Sequence, residues 1–321
     1  MAVYTNVSAD EIASFIAEYD VGDVVSFKGI AEGVENSNFL LSTTKGNYIL
    51  TLYEKRVNPK DLPFFLGLMN HLAQKGINCA TPIADRNGNN LKELCGRPTA
   101  LISFLDGLSV SRPNVQNCAH LGKALAQMHL AVSDFTITRK NDLSIEGWEK
   151  LAASCEMRAD ECFVGLGDII HSEMAILKEN WPSNLPTGII HADLFPDNVF
   201  FLNGKLSGLI DYYFACSDML AYDIAICINS WCFNSDHSLN IAKASALIKG
   251  YNEERQLSPA ELNALPLLCR GAALRFMLTR LYDWLNRVEG ALVKTKDPLE
   301  YLSMLKYHQN IKTVTEFGVK V

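Results

Sequence analysis

His191, Asp193 and Asn198 stand in the pattern H-x-D-x-x-x-x-N, and Asp211 follows at the end of the next apolar run. Phosphoryl transfer from ATP asks little more of a protein than this: a carboxylate to receive the hydroxyl proton, and ligands to hold Mg2+ on the phosphates. In that chemistry Asp193 faces the nucleophile, with His191 beside it as a second catalytic candidate. Asn198 and Asp211 share the metal through hard oxygen ligands, which leave the octahedral shell open to water and phosphate. Without chemistry, the same residues are turn formers and a core histidine tied to the backbone.

Residues so spaced need a hairpin to gather them. The stretch GIIHADLFPDNVFFLNGKLSGLIDYYFA supplies one, with two apolar runs around the turn Asn203-Gly204-Lys205. Upstream, Ser8 and Glu11 form a capping box before Ile12, Phe15, Ile16 and Tyr19 at helical spacing. Three short strands then run from about Val24 to Tyr53, and a helix from Lys60 to Gln74. Two more strands surround the turn Asn87–Asn90. After Gly107 helices dominate, over 119–131, 145–180, 218–232, 238–250, 259–288 and 297–310. The expected fold class is α+β, a sheet-rich part followed by a helical part.

Composition limits the partners. The chain has 321 residues, 48% hydrophobic and 20% charged, as a folded globular protein does. Lys and Arg total 29 against 36 Asp and Glu, a net charge of −7, so no overall basic field attracts nucleic acid or an anionic membrane. The nine cysteines are an odd number without a C-x-x-C pair, which predicts buried free thiols in a reducing cytoplasm. The N-terminal stretch lacks a signal layout, and no uncharged apolar run approaches membrane-spanning length. The expectation is a soluble cytoplasmic protein acting on a small molecule.

HADLFPDN followed by LIDYYFA resembles the catalytic loop and metal-binding aspartate of the aminoglycoside/choline phosphotransferase family, small-molecule relatives of the protein kinases. The resemblance spans essentially the whole chain, including SFLDG at 103–107, LGKALAQMHLA, and YDIA at 222–225. It implies a two-lobed protein-kinase-like fold, with a small antiparallel-sheet N-lobe over 1–104 and a larger, mainly helical C-lobe over 105–321. ATP and Mg2+ are the implied cofactors. Asp193 is the implied base, Asn198 and Asp211 the metal ligands, and the hinge backbone at Ser103, Phe104 and Leu105 the adenine site. The stretches YILTLYEKR and DLPFFLGLMNHL resemble, within the family, members that act on L-homoserine, and that resemblance implies L-homoserine as the acceptor. Choline, ethanolamine or methylthioribose are the other small alcohols, and a nucleotide-binding pseudokinase is the reading from a different class.

Two departures from the family pattern stand out. The third-strand slot for a phosphate-holding Lys is Thr51, and the helix 60–74 has only Asp61 as an acid. Lys55 falls on the same strand face as Thr51 by two-residue alternation and is the candidate substitute. The phosphate-covering turn has Gly29 and Gly33 without G-x-G-x-x-G, leaving Gly33 and the backbone amides near Ser37 and Asn38 to cap phosphates. For an amino-acid acceptor, Arg275 and then Arg280 are the carboxylate candidates, and Asp223 the ammonium candidate. Tyr213, with Tyr212, Trp231, Tyr282 and Trp284, could instead cage a quaternary ammonium, so residue chemistry alone leaves choline open.

Overall fold

The capping box at the first helix forms as expected. Ser8 accepts the Glu11 N–H while Glu11 reaches back to the Ser8 N–H, so α1 (Ala9–Ile16) begins with two otherwise orphaned donors satisfied. Ile12, Phe15 and Ile16 of α1 pack on Phe39, Leu41, Leu50, Leu52 and Leu101 of a sheet. In this computed structural model residues 5–30, 36–54, 57–287 and 295–319 are described. The chain divides into two compact units, Met1–Gly107 with Ser207–Ile210, and Leu108–Leu206 with Asp211–Val321.

The first unit holds β1 (Val24–Gly29), β2 (Asn36–Thr43), β3 (Gly46–Tyr53), α2 (Leu62–Gln74), β4 (Pro82–Ile83), β5 (Lys92–Leu94) and β6 (Arg97–Ser103). Its strands run antiparallel in the order β1-β2-β3-β6-β4, with β5 also on β6. Register decides what the β2 side chains can do. Ser37 lies opposite Leu52 and Asn38 opposite Thr51. Successive residues of a strand point to opposite faces, so Ser37 joins the α1 side with Phe39 and Leu41, while Asn38 and Thr51 share the other side. Ser207–Ile210 groups here through Leu209, which bridges to Cys79 and accepts the Ala80 N–H at 3.3 Å. That long-range attachment leaves no local pattern, and a single boundary at 104/105 does not contain it.

The second unit holds β7 (Leu108–Ser109), α3 (Val115–Ala131), α4 (Ile145–Cys155), α5 (Leu166–Asn180), β8 (Thr187–Ile190), β9 (Val199–Leu202), β10 (Lys205–Leu209), β11 (Cys216–Met219), α6 (Leu220–Trp231), α7 (Ile241–Glu254), α8 (Pro259–Leu285) and α9 (Pro298–His308), apart from the end of β10 already placed. Every residue of α6 except Ser230 is buried, the pattern of a helix enclosed on all sides. The stretch expected as helix over 145–180 breaks at a 3₁₀ turn and at Gly165, whose φ of 82° suits glycine. The start expected at 218 is instead strand β11, antiparallel to β8. Four residues are too few to display a period of two, and only their pairing with β8 makes them a strand.

Helices α3 and α7 meet backbone to backbone at two glycines. A Cβ on Gly122 would overlap the Leu247 carbonyl, and one on Gly250 the Ala119 carbonyl. Backbone cannot yield as a flexible side chain does. Gly250→Ala therefore gains about 1 kcal/mol of helix propensity but incurs overpacking of about 1–3 kcal/mol, with the rigid contact setting the higher end. The expected net result is a lower urea midpoint than the parent; an unchanged or raised midpoint would show that the crossing relaxes freely.

Candidate active site

The site is built on a backbone turn that most residues avoid. Between β8 and β9, Ala192 adopts φ 63°, a left-handed conformation that costs a non-glycine residue about 1–3 kcal/mol. The cost is offset by hydrogen bonds at both ends of the residue. Asp223, in the first turn of α6, accepts the His191 N–H at 2.7 Å and the Ala192 N–H at 2.9 Å. Arg275 of α8 donates from Nη1 to the Ala192 carbonyl at 2.7 Å. His129 of α3 reaches the same Asp223 carboxylate through Nε2 at 3.2 Å. Two helices and a buried carboxylate thus force the turn that presents Asp193.

Asp193 itself is left almost uncommitted. Its N–H donates to His191 Nδ1 at 3.3 Å, and among the described residues its carboxylate receives only a long 3.4 Å contact from the Asn198 amide. Asn198 donates more firmly, at 2.8 Å, to the Asp193 carbonyl. That orientation turns the Asn198 Oδ1 away, with no donor on it among the described residues. Asp211 follows β10, also left-handed, with φ 66°. Its carboxylate accepts the Tyr213 N–H.

The electrostatics follow from that crowding. Burial pushes the Asp193 carboxyl well above the ordinary carboxylate range; the Arg275 guanidinium opposes this, and repulsion from Asp211 reinforces it. Burial likewise lifts Asp211, to about 6, against the pull of the Tyr213 N–H. Asp211 keeps an exposed outer face, so water moderates the effect, and the upward direction is what bears on function. Two carboxylates that resist ionising together form a place where a cation is welcome. Among the described residues no three His, Cys, Asp or Glu side chains gather for a metal. The donor set at this point is therefore one amide oxygen and one or two carboxylates. That is a poor all-protein cage but a suitable partner for Mg2+, which keeps waters and takes phosphate oxygens.

Several expected site residues are placed elsewhere by their partners. Asp223 is wholly buried with both oxygens occupied by loop donors, so it is no ammonium receptor. Arg275 is 1% exposed, engaged on Ala192 and stacked 4.4 Å from the Phe276 ring, which makes it a support for the loop and not a carboxylate receptor. Arg280 is held by Glu300 at 2.5 Å and by the Asp297 carbonyl at 3.0 Å. His191 is fully buried against Tyr212, with ring centroids 4.8 Å apart, and acts through its backbone and its bond to Asp193. Tyr213 is half-buried beside Asp211.

On the nucleotide side, Ser37 is sealed away: its hydroxyl donates to Glu54 at 2.7 Å on the α1 face, and Glu54 also pairs with Arg97 at 3.1 Å. Asn38 accepts the Thr51 hydroxyl at 2.8 Å on the opposite face. Ser103 exchanges hydrogen bonds with the Thr81 backbone at 2.8 and 2.9 Å, and Phe104 and Leu105 follow outside the strand, with Phe104 exposed. Gly33 and Lys55 lie outside the described residues.

An acid and an amide on a forced loop, with a second acid after the next hairpin strand, carried by a helical unit that follows an antiparallel sheet unit, define a phosphotransferase of protein-kinase-like fold. Residues 26–257 match the model of the phosphotransferase enzyme family, and the chain belongs to that family. A protein of Rhodopseudomonas palustris named homoserine kinase is 59% identical over 322 residues, covering 100% of this chain and 98% of its own. Among solved structures, amicoumacin kinase in complex with AMP-PNP and Ca2+ superposes with a TM-score of 0.70 at 15% identity, covering 96% of this chain and 95% of the other. A choline kinase from Cryptosporidium parvum gives 0.69 at 16% identity, covering 94% of each chain. At such identities these two structures speak for the fold alone.

Proposed function

We infer that the chain transfers the γ-phosphoryl group of ATP to the side-chain hydroxyl of L-homoserine, giving O-phospho-L-homoserine and ADP, a step toward threonine. The observation that carries this is the 59% identity, end to end, with a protein named homoserine kinase. The free Asp193 carboxylate supplies what the reaction needs from a base. It orients the acceptor hydroxyl and takes its proton late, because an aliphatic alcohol is too weak an acid to ionise first. Asn198 Oδ1 and Asp211 hold Mg2+, which when bound neutralises charge on the transferring group. Asn38 and the backbone at Ser103, Phe104 and Leu105 are the proposed nucleotide contacts. All nine cysteines are free and seven are buried, which suits a reducing cytoplasm. Among the described residues no helix is long and apolar enough to cross a membrane.

A coupled ADP-release assay tests the assignment with MgATP against L-homoserine, D-homoserine, L-serine, choline, ethanolamine, methylthioribose and an aminoglycoside. Turnover is expected with L-homoserine far above the rest. Preference for another alcohol would keep the reaction and discard the acceptor, and ATP binding without turnover on any of them would discard the reaction.

A further inference from the structure

The charged residues expected to receive an amino-acid acceptor are bound within the protein, and Arg275, whose Nε has no hydrogen-bond partner among the described residues, is 1% exposed and out of a ligand's reach, which directs attention to other charges. On α8, Arg270 forms a two-point pair with Glu173 at 2.6 and 2.7 Å, Arg275 is buried on Ala192, and Arg280 is tied to Glu300. A different pair of opposite charges stands beside the catalytic loop. Lys296 and Asp197 have side chains 63% and 69% exposed and approach only to 3.9 Å. An exposed pair at that separation contributes about 0–1 kcal/mol, so opening it to admit a ligand costs little.

Both members belong to segments that are themselves anchored. Asp197 lies in the 3₁₀ turn Pro196–Asn198, next to Asn198 and four residues from Asp193. Lys296 immediately precedes Asp297, which caps α9 by accepting the Leu299 N–H at 2.8 Å and whose carbonyl holds Arg280. The Lys296 ammonium sits 5.3 Å from the centre of the Phe195 ring, itself packed edge-on against Phe276 at 4.9 Å. The ring lies two residues beyond Asp193 and gives the cation an aromatic seat on the loop. The fields of both charges also reach Asp193, Lys296 lowering its pKa and Asp197 raising it.

We propose that Lys296 and Asp197 are the zwitterion clamp of the acceptor site, Lys296 taking the α-carboxylate of an amino-acid alcohol and Asp197 its α-ammonium. This rests on the homoserine assignment and adds the source of its selectivity. A loose internal ion pair is exchanged for two pairs with the ligand, and an alcohol lacking either charge forfeits one of them. Choline and ethanolamine gain nothing from Lys296.

Two truncated acceptors separate the roles: 3-aminopropan-1-ol is homoserine without its carboxylate, and 4-hydroxybutanoate is homoserine without its ammonium. The experiment measures kcat/KM for these and for L-homoserine with the parent, Lys296→Met and Asp197→Asn. Lys296→Met is expected to lower the ratio of L-homoserine to 3-aminopropan-1-ol by about 10–100-fold, through KM for L-homoserine. Asp197→Asn is expected to lower the ratio of L-homoserine to 4-hydroxybutanoate by a similar factor. Any general effect on metal binding or folding cancels in these ratios, so unchanged ratios in both variants would overturn the clamp. Parent enzyme that prefers another alcohol to L-homoserine would instead overturn the acceptor assignment, and with it the clamp.

Discussion

Asp193→Asn is expected to fold as the parent does and to lose about 10²–10⁴-fold in turnover, the usual contribution of a positioned general base. The two halves of that result have separate causes. Asp193 makes almost no use of its carboxylate in holding the fold: among the described residues the one hydrogen bond it accepts is the 3.4 Å contact from Asn198. Its charge is on balance a burden: burial raises its pKa, and the pull of Arg275 and Lys296 does not outweigh that burial together with repulsion from Asp211 and Asp197. Removing the charge relieves that repulsion, so the thermal midpoint should equal or slightly exceed that of the parent, as when a functional residue is held against its own preference. Meanwhile the acceptor hydroxyl has lost the group that takes its proton. KM for ATP should be little changed. Near-parental turnover would remove Asp193 as the base, and a collapsed midpoint would show that the loop depends on this carboxylate after all.

How far the sequence exposes this site depends on how far apart its parts are. H-x-D-x-x-x-x-N is local: one loop of eight residues carries the base and the amide, so spacing alone brings them into view. The capping box at Ser8 and Glu11 is legible for the same reason. Charged residues whose partners lie far along the chain are not. Asp223 is 31 and 32 residues from the amides it accepts, and Arg275 is 83 from the carbonyl it holds. In the sequence each resembles a ligand receptor, because nothing nearby shows that α6 and α8 bury them. Ser37 illustrates a third case. The choice between phosphate and Glu54 is made by β-sheet register, and a shift of one residue would exchange Ser37 for Asn38. Asp197 and Lys296 give no signal in the sequence, because an exposed charge in a turn carries no pattern until its distant opposite is placed beside it.

Asp223→Asn is expected to lose both stability and turnover, the opposite profile to Asp193→Asn. Asp223 is fully buried, and burial alone would raise its pKa; the His129 hydrogen bond and charge, with His191, reverse this and hold it below the ordinary carboxylate range. The carboxylate is thus charged in the fold and meets three donors, at 2.7, 2.9 and 3.2 Å. Asn offers one acceptor oxygen and turns an N–H₂ toward a remaining N–H, so at least one buried donor is orphaned. Breaking such a buried charge cluster costs about 3–5 kcal/mol. Ala192 then loses what holds its left-handed turn, Asp193 swings from its place, and turnover falls together with the urea midpoint. The pH dependence has a definite sign. Since the folded pKa lies below the unfolded one, the unfolded chain takes up the proton first as acid is added. The stabilisation is present above about pH 4 and is lost as pH falls through the folded value. Asp223→Asn should therefore be less stable at pH 7 and less sensitive to further acid than the parent. An undiminished midpoint at pH 7 would show that Arg275 alone can hold the loop, and that the turn at Ala192 does not depend on α6.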